Sequence, residues 1–144
     1  MPRLLSDEQV SCFKTQGHVS PVLIIGQQEA QDYRNSLEQY ERELGHPVKG
    51  PLRTKPHLMF TWVDQLMRNS TVLDCIEDLI GPDILCWNSW FWIKEGNTTS
   101  YVSWHQDSQY WGLDTSHLVT AWIALSPASE ESGCMRVLPG SHLG

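Results

Sequence analysis

The spacing of apolar residues changes character at Gly81-Pro82, and any fold for this chain has to accommodate that change. Before the pair, apolar side chains recur at three- and four-residue steps, the period of a helix with one covered face. After it they come in short runs of β-branched and aromatic residues, the pattern of strands. Six of the seven tryptophans (Trp87, Trp90, Trp92, Trp104, Trp111 and Trp122) lie in this second stretch. An indole carries a large apolar area and an N–H that needs a partner. Such a cluster implies a heavy core or the wall of a pocket.

In the first stretch, Ser6-Asp7-Glu8-Gln9 reads as a capping box opening a helix through Val10, Phe13 and Lys14, with Gly17 as its stop. His18 to Ile25 is short and apolar with a central proline, which predicts an edge strand. Gln27 to Leu44 predicts a long helix ended by Gly45-His46-Pro47. Its apolar positions Ala30, Tyr33, Leu37, Tyr40 and Leu44 form one narrow stripe, which places it on the outside of the fold. After a loop from Pro47 to Pro56, His57 to Arg68 and Thr71 to Ile80 predict two short helices, with Ser70 as N-cap of the second and Gly81-Pro82 closing it.

In the second stretch, Ile84 to Ile93 is apolar on both faces, predicting a strand covered on both sides. A turn at Gly96-Asn97-Thr98-Thr99 leads to predicted strands over Tyr101 to Asp107, Leu118 to Leu125 and Cys134 to Leu138, the last stopped by Pro139-Gly140. No internal repeat or low-complexity segment is present. Helices followed by closely spaced strands predict an α+β fold in a single domain over 1–144, helical over 1–82 and β-rich over 83–144.

Composition narrows the partners. Hydrophobic residues make up 40% of the 144 and charged residues 19%, a globular balance rather than a disordered one. A formal net charge of -7 repels phosphate backbones, so no nucleic acid partner is expected. Cys12, Cys75, Cys86 and Cys134 form no CxxC pair, and buried free thiols in a reducing compartment are expected. Met1 to Ser6 lacks the apolar run of a secretory signal, and no stretch is long and apolar enough to span a bilayer, so a cytoplasmic location and no membrane partner are expected.

The chemistry centres on Trp104-His105-Gln106-Asp107. In a strand, residues i and i+2 point to one face, so His105 and Asp107 project together while Gln106 points away. One imidazole and one carboxylate are two ligands of a 2-His-1-carboxylate facial triad, which holds iron(II) and leaves positions open for a co-substrate and oxygen. On spacing alone, a surface histidine beside an acid is the favoured reading.

The stretches Ser103-Trp104-His105-Gln106-Asp107-Ser108-Gln109-Tyr110-Trp111-Gly112-Leu113, Thr120-Ala121-Trp122-Ile123-Ala124-Leu125 and Ser132-Gly133-Cys134-Met135-Arg136-Val137-Leu138-Pro139-Gly140-Ser141-His142 resemble, in order and spacing, the phytanoyl-CoA dioxygenase family. Phe91-Trp92-Ile93-Lys94-Glu95 also fits. The resemblance implies helices packed on a double-stranded β-helix (a cupin-like jelly roll), here incomplete. It implies an iron(II)- and 2-oxoglutarate-dependent dioxygenase acting on a small-molecule or acyl substrate with dioxygen. By motif, His105 and Asp107 would be the catalytic metal ligands. Trp122, Trp87, Gln106 and Lys55 would line the 2-oxoglutarate site, where a lysine could salt-bridge a carboxylate. Core packing is the bland reading for Trp87 and Trp122. Related halogenases have a small residue where Asp107 stands, so hydroxylation is expected.

The family's second histidine ligand and its carboxylate-clamping arginine have no match. His142 belongs by motif to a turn, His117 follows a polar loop, His18, His46 and His57 read as structural or surface residues, and Arg136 does not match the clamp. The chain therefore reads as an N-terminal portion of the domain, expected to bind iron weakly and to aggregate through open sheet edges. The alternative is a catalytically inactive remnant or binding module. A carbohydrate-binding sandwich would require exposed indoles on one face. A zinc hydrolase would require further donors at a familiar spacing.

Overall fold

Ser6 opens the first helix with a reciprocal pair of hydrogen bonds: Gln9 N–H donates to Ser6 Oγ at 3.2 Å, and Ser6 N–H donates to Gln9 Oε1 at 2.8 Å. A computed structural model describes residues 4–99, 101–115 and 117–144. Met1 to Arg3, part of the segment read for a leader, lie outside the described residues. Four α-helices fill the first half: α1 (Asp7–Gln16), α2 (Gln27–Leu44), α3 (Thr61–Met67) and α4 (Ser70–Ile80). Gly17 ends α1 in the left-handed region at φ +80°, its N–H donating to Phe13 O. The chain ahead of α1 is tied to α4, since Leu4 N–H and Leu5 N–H both donate to Asp78 Oδ2 at 2.9 Å and Leu5 is buried.

α2 has no fully buried residue and lies on the outside, as its single stripe predicts. Its polar face is laced by pairs four residues apart, including Arg34–Glu38 at 2.7 Å. Its stripe leans on the core through Leu37 and Tyr40. That core is small: Val48, Val63 and Phe91, wrapped by aromatic rings. Phe60 meets Tyr40 edge-on at 4.8 Å, and Trp62 stacks on Phe91 at 5.6 Å. Burying side chains of this size stabilises by roughly 1.5–3 kcal/mol each.

Two helix boundaries differ from expectation. The helix predicted from His57 is a 3-10 turn, Pro56–Leu58, followed by α3, because Phe60 takes an extended backbone (φ -118°, ψ 116°) that leaves its ring among the core aromatics. The N-cap of α4 is Asn69, not Ser70. Its Oδ1 accepts from Thr71 N–H at 2.9 Å and Val72 N–H at 3.4 Å, and the carbonyl oxygen of the longer amide side chain reaches two orphan donors at once.

The predicted strands differ more. Among the described residues none of the segments 18–25, 84–93, 101–107, 118–125 and 134–138 forms a paired ladder. One isolated antiparallel bridge joins Thr54 and Trp90. Around it, Lys55 N–H donates to Ser89 O and Phe91 N–H to Arg53 O. Arg53 clasps the same junction, donating to Val48 O at 2.8 Å and Ile93 O at 3.1 Å. The segment 84–93 is therefore docked on the helical half rather than on a sheet. The physical reason is that a strand's hydrogen bonds close only against a partner segment, and these segments find none in register. Side chains meant for covered faces stand exposed, among them Leu85, Trp92, Tyr101 and Trp104.

The cysteines also depart from expectation. All four are free, but Cys12 and Cys86 are exposed and Cys75 and Cys134 only partly covered. Partial burial pushes the Cys75 thiol up from its ordinary value, with Asp78 and Asp74 adding to the shift. No described helix is long and apolar enough to cross a membrane.

Candidate metal centre

Gln106 has an extended backbone, φ -114° and ψ 128°, so the side chains on either side of it leave on one face. The predicted juxtaposition of His105 and Asp107 is thus achieved without a strand. Directly afterwards the chain turns through a 3-10 helix, Asp107–Gln109, closed by Tyr110 N–H donating to Asp107 O at 3.0 Å. His105 Nε2 and Asp107 Oδ1 come to 3.2 Å, with both side chains about one-third exposed.

Each of the two has a further partner. His105 Nδ1 is 2.8 Å from Ser103 O, a carbonyl that can only accept, so Nδ1 carries the proton. In the neutral ring that leaves Nε2 with a bare lone pair facing a carboxylate oxygen. Two acceptors at 3.2 Å require a proton or a cation between them. Asp107 Oδ2 accepts from Thr120 Oγ1 at 2.5 Å, which turns Oδ1 toward His105. The Tyr110 ring stands edge-on to the imidazole at 5.7 Å.

These groups fit a divalent metal. Donors at about 2.1 Å from one ion and at right angles to each other lie about 3.0 Å apart, close to the 3.2 Å observed. A hydrogen-bonded Nδ1–H and a hydrogen-bonded second carboxylate oxygen are the supports that orient metal ligands. Among the described residues no third His, Cys, Asp or Glu joins the pair. His142 is engaged elsewhere, with Nε2 at 3.0 Å from Lys14 O. His46 and His57 bond to Pro47 O and Ser89 Oγ. Arg136 pairs with Glu130 at 3.3 Å on an exposed surface.

The remaining site residues fall into two groups. Lys55 is exposed, in the left-handed region at φ +52°, and its backbone is fastened to Ser89. Burial raises the Cys86 thiol above its ordinary value, while a hydrogen bond with the Asn88 backbone and the nearby Lys55 charge oppose that rise. This places Lys55 beside the segment that carries Trp87. Trp122 lies two residues past Thr120 and so follows the Asp107 partner. Trp87 is 48% exposed and Trp122 40%. Gln106 donates its amide N–H to Ser141 O at 2.8 Å. An open depression lined by Arg53, Thr54 and Trp90 includes none of the predicted site residues.

Sequence reasoning missed three contributors: Ser103, Thr120 and Ser141. All three lie inside the quoted motifs, but no spacing rule marks a hydroxyl or carbonyl as the partner of a side chain thirteen or thirty-five residues away.

The family model for phytanoyl-CoA dioxygenase (PhyH) matches residues 1–144. A probable alpha-ketoglutarate-dependent hypophosphite dioxygenase of Stutzerimonas stutzeri is 33% identical over 111 residues, covering 76% of this chain and 38% of that protein. An ectoine dioxygenase of Streptomyces avermitilis is 24% identical over 156 aligned positions, covering 98% and 53%. The peroxisomal phytanoyl-CoA dioxygenase of Homo sapiens is 35% identical over 77 residues, covering 51% and 23%. The chain spans about half or less of the length of these relatives. No solved structure matches it.

Proposed function

This chain belongs to the phytanoyl-CoA dioxygenase family, and from that premise we propose that it carries the iron-binding segment of a 2-oxoglutarate-dependent dioxygenase that hydroxylates a small-molecule or acyl substrate and releases succinate and carbon dioxide. The observation that carries the reading is the His105–Asp107 pair: Nε2 and Oδ1 at 3.2 Å, each side chain oriented by a further hydrogen bond.

His105 and Asp107 would hold iron(II), and the bound metal with 2-oxoglutarate supplies the activation of dioxygen. Ser103 O keeps the His105 proton on Nδ1, so that Nε2 offers its lone pair. Asp107 contributes negative charge through Oδ1 while Thr120 occupies Oδ2. A carboxylate here also denies that coordination position to halide, which favours hydroxylation over halogenation. Lys55 would pair with a co-substrate carboxylate. Trp87 and Trp122, with indoles still partly open, would wall the pocket and exclude water. Gln106, between the two ligands, would sit at the edge of that pocket. The extended, alternating segments beyond residue 83 are those expected to build the family's jelly roll. Four unpaired cysteines suit a reducing cytoplasm.

The relatives' names cover hypophosphite, ectoine and phytanoyl-CoA, so the substrate panel has to be equally broad. The test is succinate release from 2-oxoglutarate by the whole protein with iron(II), run against a panel of oxyanions, small zwitterions and acyl-CoA thioesters. Substrate-dependent succinate is expected with one class, falling to the metal-free background in His105→Ala and in Asp107→Ala. Full turnover surviving Asp107→Ala would reject the ligand assignment. A whole protein with no iron-dependent succinate release would favour a non-catalytic binding module instead.

A further inference from the structure

The turn that follows Pro139 touches two distant parts of the molecule. On one side it closes the end of α1: Gly140 N–H donates to Gln16 O at 2.9 Å, and His142 Nε2–H donates to Lys14 O at 3.0 Å. The last carbonyls of a helix have no partner within it, so these bonds satisfy groups that would otherwise be orphaned. The approach is close. A side chain at Gly17 would meet His142 Nδ1 at 2.6 Å, so glycine is required there for room as well as for φ +80°. On the other side, the same turn offers Ser141 O to Gln106 Nε2 at 2.8 Å. A carbonyl only accepts, so the NH2 end of the amide is the end that faces it.

Gln106 stands between the two residues read as metal ligands. Its backbone geometry is what projects them to one side, and its side chain is held by the turn. The turn is seated on α1, and the chain entering α1 is bonded in turn to Asp78 of α4. A continuous run of hydrogen bonds therefore leads from the helical half to the centre of the ligand pair.

We propose that Gln106 is a positioning residue: its amide, anchored through the 140–142 turn to the C-terminal end of α1, sets the angle at which His105 and Asp107 present their donors. This rests on the reading of those two residues as metal ligands. It gives the amide a structural partner within the protein in place of the co-substrate contact that motif alone would assign.

The test is a cobalt(II) titration of the whole protein followed by visible absorption, in which ligand geometry is read from the cobalt bands. Gln106→Met keeps the length of the side chain and removes the donor; Gln106→Glu keeps the shape and places an acceptor against Ser141 O. Both are expected to weaken cobalt(II) binding about 10-fold or more, the usual range for removing a partner that orients a ligand, and to shift the cobalt bands, with thermal midpoints near that of the parent. His142→Ala is expected to do the same to a smaller degree, and His142→Gln, which retains an N–H donor, to restore binding. Because both residues act through one turn, the Gln106→Met/His142→Ala double variant should bind no worse than Gln106→Met alone. Parent-like affinity and spectrum in Gln106→Met, or fully additive losses in the double variant, would overturn the proposal. A parent protein whose cobalt(II) binding is absent, or indifferent to His105→Ala, would instead take down the ligand assignment and this inference with it.

Discussion

Among the described residues, the buried core side chains Leu5, Val48, Val63, Leu66 and Val72 stand before residue 83, and Phe91 stands after it. The second region is nevertheless the richer in aromatic rings, and Leu85, Trp87, Trp90, Trp92, Tyr101 and Trp104 are all exposed there. The difference lies in where each region finds its backbone partners. A helix closes its hydrogen bonds within four residues, so α1 to α4 each find their backbone partners inside the element and need other segments only to cover their apolar faces. An extended segment depends on another segment arriving in register. Where that partner is not met, the backbone stays extended and the side chains stay open. The helical region can hold its shape from local rules, whereas the extended region holds only where it is fastened to the helical one.

Phe91 is the strongest of those fasteners, and removing it is the severest way to break the contrast. Phe91→Ala is expected to cost about 3 kcal/mol, the lower end for a buried ring. Hydrogen exchange should speed up at Lys55 N–H and Phe91 N–H, the amides of the junction, while the amides of α1 and α2 remain protected. Equal loss of protection in all four helices would mean that the two regions do not fold by different rules. A smaller effect sharpens the local side of the comparison. Asn69→Ala removes the only side-chain cap of α4 and is expected to lower stability by about 1 kcal/mol, with Ser70 unable to compensate because it already lies inside the helix. A parent-like thermal midpoint in Asn69→Ala would count against the cap.

The smallest effect concerns pH. Glu8, in the first turn of α1, titrates below its ordinary value, chiefly because of a side-chain hydrogen bond with Ser6. A carboxylate depressed in the folded state contributes stability that is complete above its unfolded value and lost as pH falls through the folded one. Glu8 is fully exposed, so the contribution is slight. Glu8→Gln should be marginally less stable than the parent at neutral pH, with the difference closing as pH falls through the ordinary glutamate range. A difference that appears only in acid, with none at neutral pH, would contradict the assignment.

How much could be read without coordinates follows the same division. The Ser6–Gln9 box, the Gly17 stop and the outward stripe of α2 are all present as predicted, since each rests on contacts within a few residues. The break at Phe60 was not legible, because it serves a ring packed against Tyr40 and Phe91, far away in sequence. The metal pair sits between these cases. His105 and Asp107 are two residues apart, and an extended Gln106 suffices to bring them together. Their orienting partners are not local: Thr120 is thirteen residues from Asp107, and Ser141 thirty-five from Gln106. A hydroxyl or a carbonyl has no periodicity, so nothing in the spacing announces it.

By itself the amino-acid sequence determined α1 and α2, a pair of short helices after them though not where each begins, the change of period at Gly81-Pro82, the family and the side-by-side placement of His105 and Asp107. All of these depend on short-range geometry or on motifs that survive as strings of residues. Only the tertiary structure decided that the segment after residue 83 docks through Thr54 and Trp90, that Thr120 turns the Asp107 carboxylate, and that the 140–142 turn joins α1 to Gln106. Those contacts exist only once distant segments have been brought together, and the entropy lost in closing such long loops is recovered from burial and hydrogen bonds that no local window contains.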